Sequence, residues 1–162
     1  DNNPVIYIDD RWLYNHEGVV PEEIYEVEIG KGIIKRTGND VTLAGISYMA
    51  FESIKATQDL VKEGIDVELI DLRTVKPIDE ELLLNSVKKT GRIVIADGGW
   101  KTCGIAAEIS ALVSENIFEY LKSPIIRVTL PDTPAPASSI LEKDYYPTYK
   151  DIVNAAKNIM KK

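Results

Sequence analysis

A chain of 162 residues with 44% hydrophobic and 28% charged side chains has the length and mixture of one globular domain. Its formal net charge of −7, from 19 basic and 26 acidic residues, disfavours nucleic acid, whose phosphates must be neutralised by Lys and Arg. A single cysteine excludes an internal disulfide, no Cys/His cluster has metal-site spacing, and no apolar run reaches the roughly 18 residues of a membrane helix. No metal, nucleic-acid or membrane partner is expected, and a cytoplasmic location is the default. The acidity suits simple solubility or a basic protein partner. The start, Asp1-Asn2-Asn3-Pro4, carries neither a signal peptide nor an initiator methionine, as expected of a piece of a longer chain.

Val5 to Ile8 is a short apolar run that reads as a strand. From Asp9 to Gly32 there is no clear periodicity, and this length is unusual inside a domain, so residues 1–32 read as an arm or linker with a strand stub. The domain proper is expected over 33–162. Gly32 to Arg36 reads as a short edge strand, Thr37-Gly38-Asn39-Asp40 as a turn, and Val41 to Ile46 as the first strong strand. Ser47 is placed to cap a helix in which Ala50, Ile54, Thr57 and Val61 recur at helical spacing, and Gly64 ends it. Asp66 to Leu72 alternates as a strand does. Asp79 caps the next helix, with Glu80 and Glu81 in its first turn and Lys88, Lys89 and Gly91 at its end. Arg92 to Ala96 reads as a buried strand and Asp97 to Trp100 as a turn. A helix follows with Ile105, Ile109, Leu112, Val113 and Ile117 on one face, then a strand from Ile125 to Leu130, a Pro-rich loop over 131–136, and a last helix from about Thr148. Strands joined by crossover helices must run parallel with helices on both faces, so the class is three-layer α/β. Loops at the carboxyl ends of such strands carry function; here they begin at Ser47, Arg73, Asp97 and Pro131.

Catalytic motifs are missing. No G-x-G-x-x-G follows a strand, and Gly99 to Gly104 has phosphate-loop spacing with Ile105 where the lysine belongs. No G-x-S-x-G elbow occurs, and a Ser-His-Asp set would rest on His16, the one histidine, in the irregular arm. Cys103 precedes a helix, where a thiol pKa can fall, although a small turn residue explains it more simply. Gly98, Gly99 and Gly104 sit at a strand-to-helix junction that could cradle an anion or merely need positive φ. Trp100 reads equally as core anchor or partner contact.

The segment Ile65 to Asp79, IDVELIDLRTVKPID, resembles the signature of the transketolase carboxy-terminal domain. Ser86 to Trp100, SVKKTGRIVIADGGW, is similar to the matching segment of beta subunits of pyruvate and branched-chain 2-oxo acid dehydrogenases. Leu13-Tyr14, Val20-Pro21-Glu22 and Ile29-Gly30-Lys31-Gly32 resemble the arm that enters that domain, and Gly104 to Ile109 and Asp132 to Pro136 continue the likeness.

The resemblance implies a mostly parallel five-stranded sheet between helix layers, with one edge strand antiparallel. It implies a whole enzyme that uses thiamine diphosphate and magnesium to decarboxylate a 2-oxo acid and acylate a lipoyl group. Those cofactors would be held by a preceding domain with a G-D-G motif. Ala96-Asp97-Gly98-Gly99 is not that motif, so no catalytic, cofactor or metal residue is carried over. The domain's role would be assembly, with an alpha subunit, a second beta subunit and an acyltransferase core as partners, and a weak homodimer in isolation. Interface candidates are Gly98, Gly99, Trp100, Lys122, Asp132, Pro134 and Pro136. Lys122 stands where relatives place an acid that helps hold a basic docking domain, so repulsion is expected there; alternatively it caps the helix ending Glu119-Tyr120-Leu121. A transketolase or deoxyxylulose phosphate synthase, and a stand-alone ligand-binding module, remain open alternatives.

Overall fold

Alternation along the strands decides the architecture, because successive side chains leave opposite faces of a sheet. In the computed structural model, which describes residues 2–4, 6, 8 and 10–161, five strands form one sheet in the order β1-β3-β2-β4-β5. They are β1 (Ile33–Arg36), β2 (Val41–Gly45), β3 (Val67–Asp71), β4 (Ile93–Trp100) and β5 (Ile126–Leu130). β1 pairs antiparallel with β3; the other pairings are parallel. The expected α/β class and the antiparallel edge are therefore as observed.

The helices are α1 (Tyr48–Lys62), α2 (Glu80–Thr90), α3 (Ile105–Ile117), α4 (Ser139–Tyr145) and α5 (Tyr149–Met160). Val94 and Ala96 of β4, with Val41 and Leu43 of β2, pack against Ala56 and Leu60 of α1 and Ile152 and Ile159 of α5. Ile93 and Ile95 leave the other face and meet Leu83 and Val87 of α2 and Ile109 and Val113 of α3. Two hydrophobic layers thus sandwich the sheet, and most of these side chains have no exposed surface.

Among the buried carboxylates, Glu68 is the most enclosed. Glu68 of β3 is 1% exposed, and its carboxylate accepts from the Gly38 amide at 2.9 Å, the Ser86 hydroxyl at 2.8 Å and Lys89 Nζ at 2.5 Å. Three donors and an opposite charge offset its loss of water. Gly38 is needed there, since a Cβ would overlap the Val67 carbonyl.

Several expectations are corrected. Asp97 to Trp100 is not a turn: β4 runs on through Trp100, which pairs with Leu130 after a register shift beyond Ala96. Cross-strand pairing with β5 overrides the local turn preference of two glycines. Ser47 precedes α1, but its side chain makes no cap bond, because its φ of 53° and ψ of −129° turn it away. The Pro-rich loop leads into α4, a seven-residue helix that the short, mostly polar run did not announce. Within the arm, Arg11–Asn15 forms a 3-10 turn capped by Asp10. Val5 and Tyr7 of the expected first strand lie outside the described residues; Ile6 and Ile8 belong to no element. Among the described residues, no helix is long and apolar enough to cross a membrane.

Candidate functional site

The parallel strands β2, β4 and β5 point their carboxyl ends to one edge of the sheet, and there the chain forms a cleft of about 360 Å³. Ile46 to Met49 line it from the β2–α1 junction, Asp97 and Gly98 from β4, Leu130 from β5, and Tyr146 and Pro147 from the loop before α5. Asp10 and Trp12 of the arm close one side. The Trp12 ring stands edge-on to Tyr48 and Tyr146, with centroids 5.0 and 4.7 Å apart. The His16 ring lies against that of Phe51 with centroids 3.7 Å apart, so ring contacts help to fasten the arm to α1. That places His16 against an aromatic ring, in the arm as expected.

Tight packing shapes the β2–α1 junction. A Cβ on Gly45 would stand 2.5 Å from Ala50 Cα, so only glycine lets the first turn of α1 sit so close to the strand. The following Ser47 takes the left-handed backbone, and its hydroxyl donates to Asp10 Oδ2 at 3.3 Å. A non-glycine residue held there marks stored strain.

Of the interface candidates, six share this edge and one does not. Gly98, Gly99 and Trp100 end β4. Trp100 Nε1 donates to the Tyr145 hydroxyl at 3.3 Å, which donates to the Thr133 carbonyl at 2.8 Å. Asp132 accepts from the Thr102 amide at 3.0 Å and its hydroxyl at 2.5 Å, clamping the Pro-rich loop, with Pro134 and Pro136, to the loop before α3. Those two donors, helped by nearby Lys101 and Arg127, hold the Asp132 carboxyl below its ordinary pKa. Lys122 precedes β5 at the opposite end of the sheet. Its backbone amide donates to the Gly91 carbonyl at 2.8 Å and its Nζ to the Thr90 carbonyl at 3.1 Å. It therefore caps α2, not the helix it follows as sequence suggested.

The glycine junction is poorly suited to an anion. A Cβ on Gly99 or Gly104 would stand 3.0 or 3.5 Å from Asp97 Oδ2, so a carboxylate already lies between them at the start of α3. Asp97 is 6% exposed; burial pushes its pKa up, while the amides of Gly99 and Ala106 pull it down. Its Oδ1 accepts from the Gly99 amide at 3.0 Å, and Oδ2 is buried against the start of α3. Sequence reading marked Asp97 only as the start of a strand-end loop and passed over Trp12, Tyr48 and Tyr146, since only folding brings these positions together. Cys103, in the left-handed region, is exposed on the same loop as Thr102.

Comparison with known proteins fits this architecture. The profile of the family "Transketolase, C-terminal domain" matches residues 30–152. The chain belongs to the transketolase C-terminal domain family. This transketolase C-terminal domain is 40% identical over 160 residues to the beta subunit of acetoin:2,6-dichlorophenolindophenol oxidoreductase of Bacillus subtilis, covering 99% of the chain and 47% of the relative. It is 43% identical over 163 residues to the mitochondrial pyruvate dehydrogenase E1 component subunit beta of Dictyostelium discoideum, covering 98% of the chain and 46% of the relative. Among solved structures it superposes on a split-gene transketolase, an inactive beta4 tetramer, with a TM-score of 0.75 and 28% identity over 88% of the chain and 47% of the other. The chain spans about half the length of the curated relatives it matches.

Proposed function

We propose that this domain is the assembly half of a beta subunit in a thiamine diphosphate-dependent enzyme that oxidises a 2-oxo acid or acetoin, with residues 1–32 as its linker. The similarity along 99% of the chain to a beta subunit twice as long carries this reading. Pyruvate and acetoin enzymes are represented at nearly equal identity, 43% and 40%, so the substrate class is left between them. The partners are then an alpha subunit and a second beta subunit, in the cytoplasm, with an acyltransferase core as a third where such a complex exists.

The residues at the glycine junction do not fit the diphosphate and its magnesium. The buried Asp97 carboxylate repels phosphate, and among the described residues no three His, Cys, Asp or Glu side chains could hold a metal together. The cofactor would be bound elsewhere in the longer protein, and no chemical step is assigned to this domain. Gly98, Gly99, Trp100, Asp132, Pro134 and Pro136 form one contact surface in this proposal. Calorimetry of the 162-residue chain with thiamine diphosphate and magnesium is expected to give no saturable heat, and micromolar binding would overturn the assignment. Coexpression of the full-length beta subunit with its alpha subunit should yield cofactor-dependent dye reduction with pyruvate or with acetoin.

A further inference from the structure

We propose that the outer edge of β5 takes up the arm of a second copy of this chain as an added strand, each copy receiving the other's arm across a two-fold axis. The arm carries a strand pattern but belongs to no strand. Tyr25, Val27 and Ile29 alternate with Glu26 and Glu28, and the three apolar side chains are each more than half exposed. From Glu17 to Ile29 the arm holds five glutamates and no Lys or Arg. β5 ends the sheet and pairs only with β4, so alternate amides and carbonyls turn outward without a sheet partner among the described residues. A strand added there places successive side chains on opposite faces of the sheet. The two grooves beside β5 differ in the matching way. On the α3 side, Ala107, Phe118, Leu121 and Ile125 line an apolar groove whose charges, Lys122 and Arg127, are both positive. On the α5 side, Lys101, Arg127 and Lys143 face two acids, Asp144 and Asp151, and Asp151 already accepts from the Thr148 amide at 2.8 Å. The apolar row of the arm suits the first groove and its glutamates the second.

Charge and reach select this pairing among the alternatives. The arm cannot lie along its own β5, because Gly30 is tied to Thr74 just beyond β3, and β2 and β4 stand between β3 and β5. Two arms paired with each other set glutamate against glutamate, and two β5 edges set Arg127 against Arg127. The opposite edge of the sheet, β1, is flanked by a groove in which Glu68, Asp79 and Glu81 outnumber Lys31 and Lys89, so it repels an acidic strand. The arm is held at both ends of this segment, by His16 on Phe51 and by Gly30 on Thr74, which presents the residues between them to a neighbour. The contact gives a surface to the second beta subunit proposed above, and it rests on that reading only for the partner's name.

The test is sedimentation equilibrium of the chain at rising concentration. A monomer–dimer equilibrium is expected that salt weakens, whereas screening the general repulsion between two copies of net charge −7 would strengthen it. Val27→Pro removes one amide from an exposed position of the arm and should weaken the dimer about tenfold or more. Glu26→Lys with Glu28→Lys, and Lys101→Glu with Lys143→Glu, should each abolish the dimer alone. Mixing the two double variants should restore it, because both contacts of the mixed dimer again join opposite charges. Amide exchange at residues 25–29 should slow as the dimer forms. A chain that stays monomeric at the highest concentrations, a dimer that Val27→Pro leaves unaltered, or a mixture that does not recover would each overturn the proposal. A dimer lost through Trp100→Ala but kept by the arm variants would sink this contact too, while leaving the reading of the domain as half of a beta subunit in place. Should one double variant fail to fold, Val27→Pro and the sign of the salt dependence decide.

Discussion

Single residues carry charges whose placement makes sharp expectations. Asp132 is held ionised by the Thr102 amide and hydroxyl. A carboxyl whose pKa is lower in the folded state stabilises it above the unfolded pKa, and that support is lost as pH falls through the folded value. Asp132→Asn should therefore loosen the loop at neutral pH, seen as faster exchange of the Thr102 amide. The gap from wild type should close in acid below the ordinary carboxylate range; a gap that persists there would contradict the charge argument. Asp97 has the opposite sign. Burial raises its pKa, so ionisation costs stability as pH rises from the unfolded pKa toward the folded one. Wild type should consequently lose stability over that window, and Asp97→Asn should remove the loss. Lys122 supports α2 through the Thr90 carbonyl, so Lys122→Asp puts a negative charge at a negative helix end and should cost about 1 kcal/mol in urea unfolding. The same variant tests docking. A basic peripheral-subunit-binding domain should bind it better than wild type, and tight wild-type binding that the substitution leaves unchanged would remove Lys122 from any docking site.

Elements were legible where local chemistry and tertiary packing agree. α2 begins at Asp79, whose side chain accepts from the Leu82 amide, and stops at Gly91 with φ of 73°. α5 begins with the reciprocal Thr148 and Asp151 bonds of a capping box, and its Ile152, Val153, Ala156 and Ile159 face the sheet. The buried Glu52 also accepts from the Tyr149 amide at 2.8 Å, tying the start of α5 to α1. Thr148→Ala should cost about 1 kcal/mol by chemical denaturation, the usual worth of an N-cap. A neutral result would mean that Glu52 alone holds that end. Legibility failed where a distant strand set the conformation. The two glycines after Asp97 favour a turn, yet pairing of Trp100 with Leu130 extends β4 through them. α4 gave no periodic signal because only Tyr145 among its seven residues is buried.

For the whole molecule, the two apolar layers on either side of the sheet make the core cooperative. Leu43 lies at the centre of one layer with no exposed surface, and Leu43→Ala should cost roughly 2–5 kcal/mol in equilibrium unfolding. The arm has a different character. Val19 and Ile24 are fully exposed, and Val20 and Ile29 nearly three-quarters so. Such surface favours association, and a weak dimer is proposed for the chain, to be checked by sedimentation at high concentration. Strict monomer behaviour would count against it. The arm's carboxyl end is nevertheless tied down, with Gly30 donating to Thr74 at 3.1 Å and Gly32 to Asp79 at 3.1 Å.

The sequence by itself determined the layered α/β class, the positions of the strong strands along the chain, most helix ends and the family. Each of these follows from residues close together in the chain: apolar periodicity, caps, glycines that stop helices, and two contiguous motifs. Tertiary structure alone decided which way Lys122 turns, that Asp132 clamps two loops, and that Asp10 and Trp12 meet Tyr48, Asp97 and Tyr146 around one cleft. Those contacts join residues 30 to more than 100 positions apart. No local pattern encodes such meetings, because they arise only when parallel strands bring distant junctions to the same edge of the sheet.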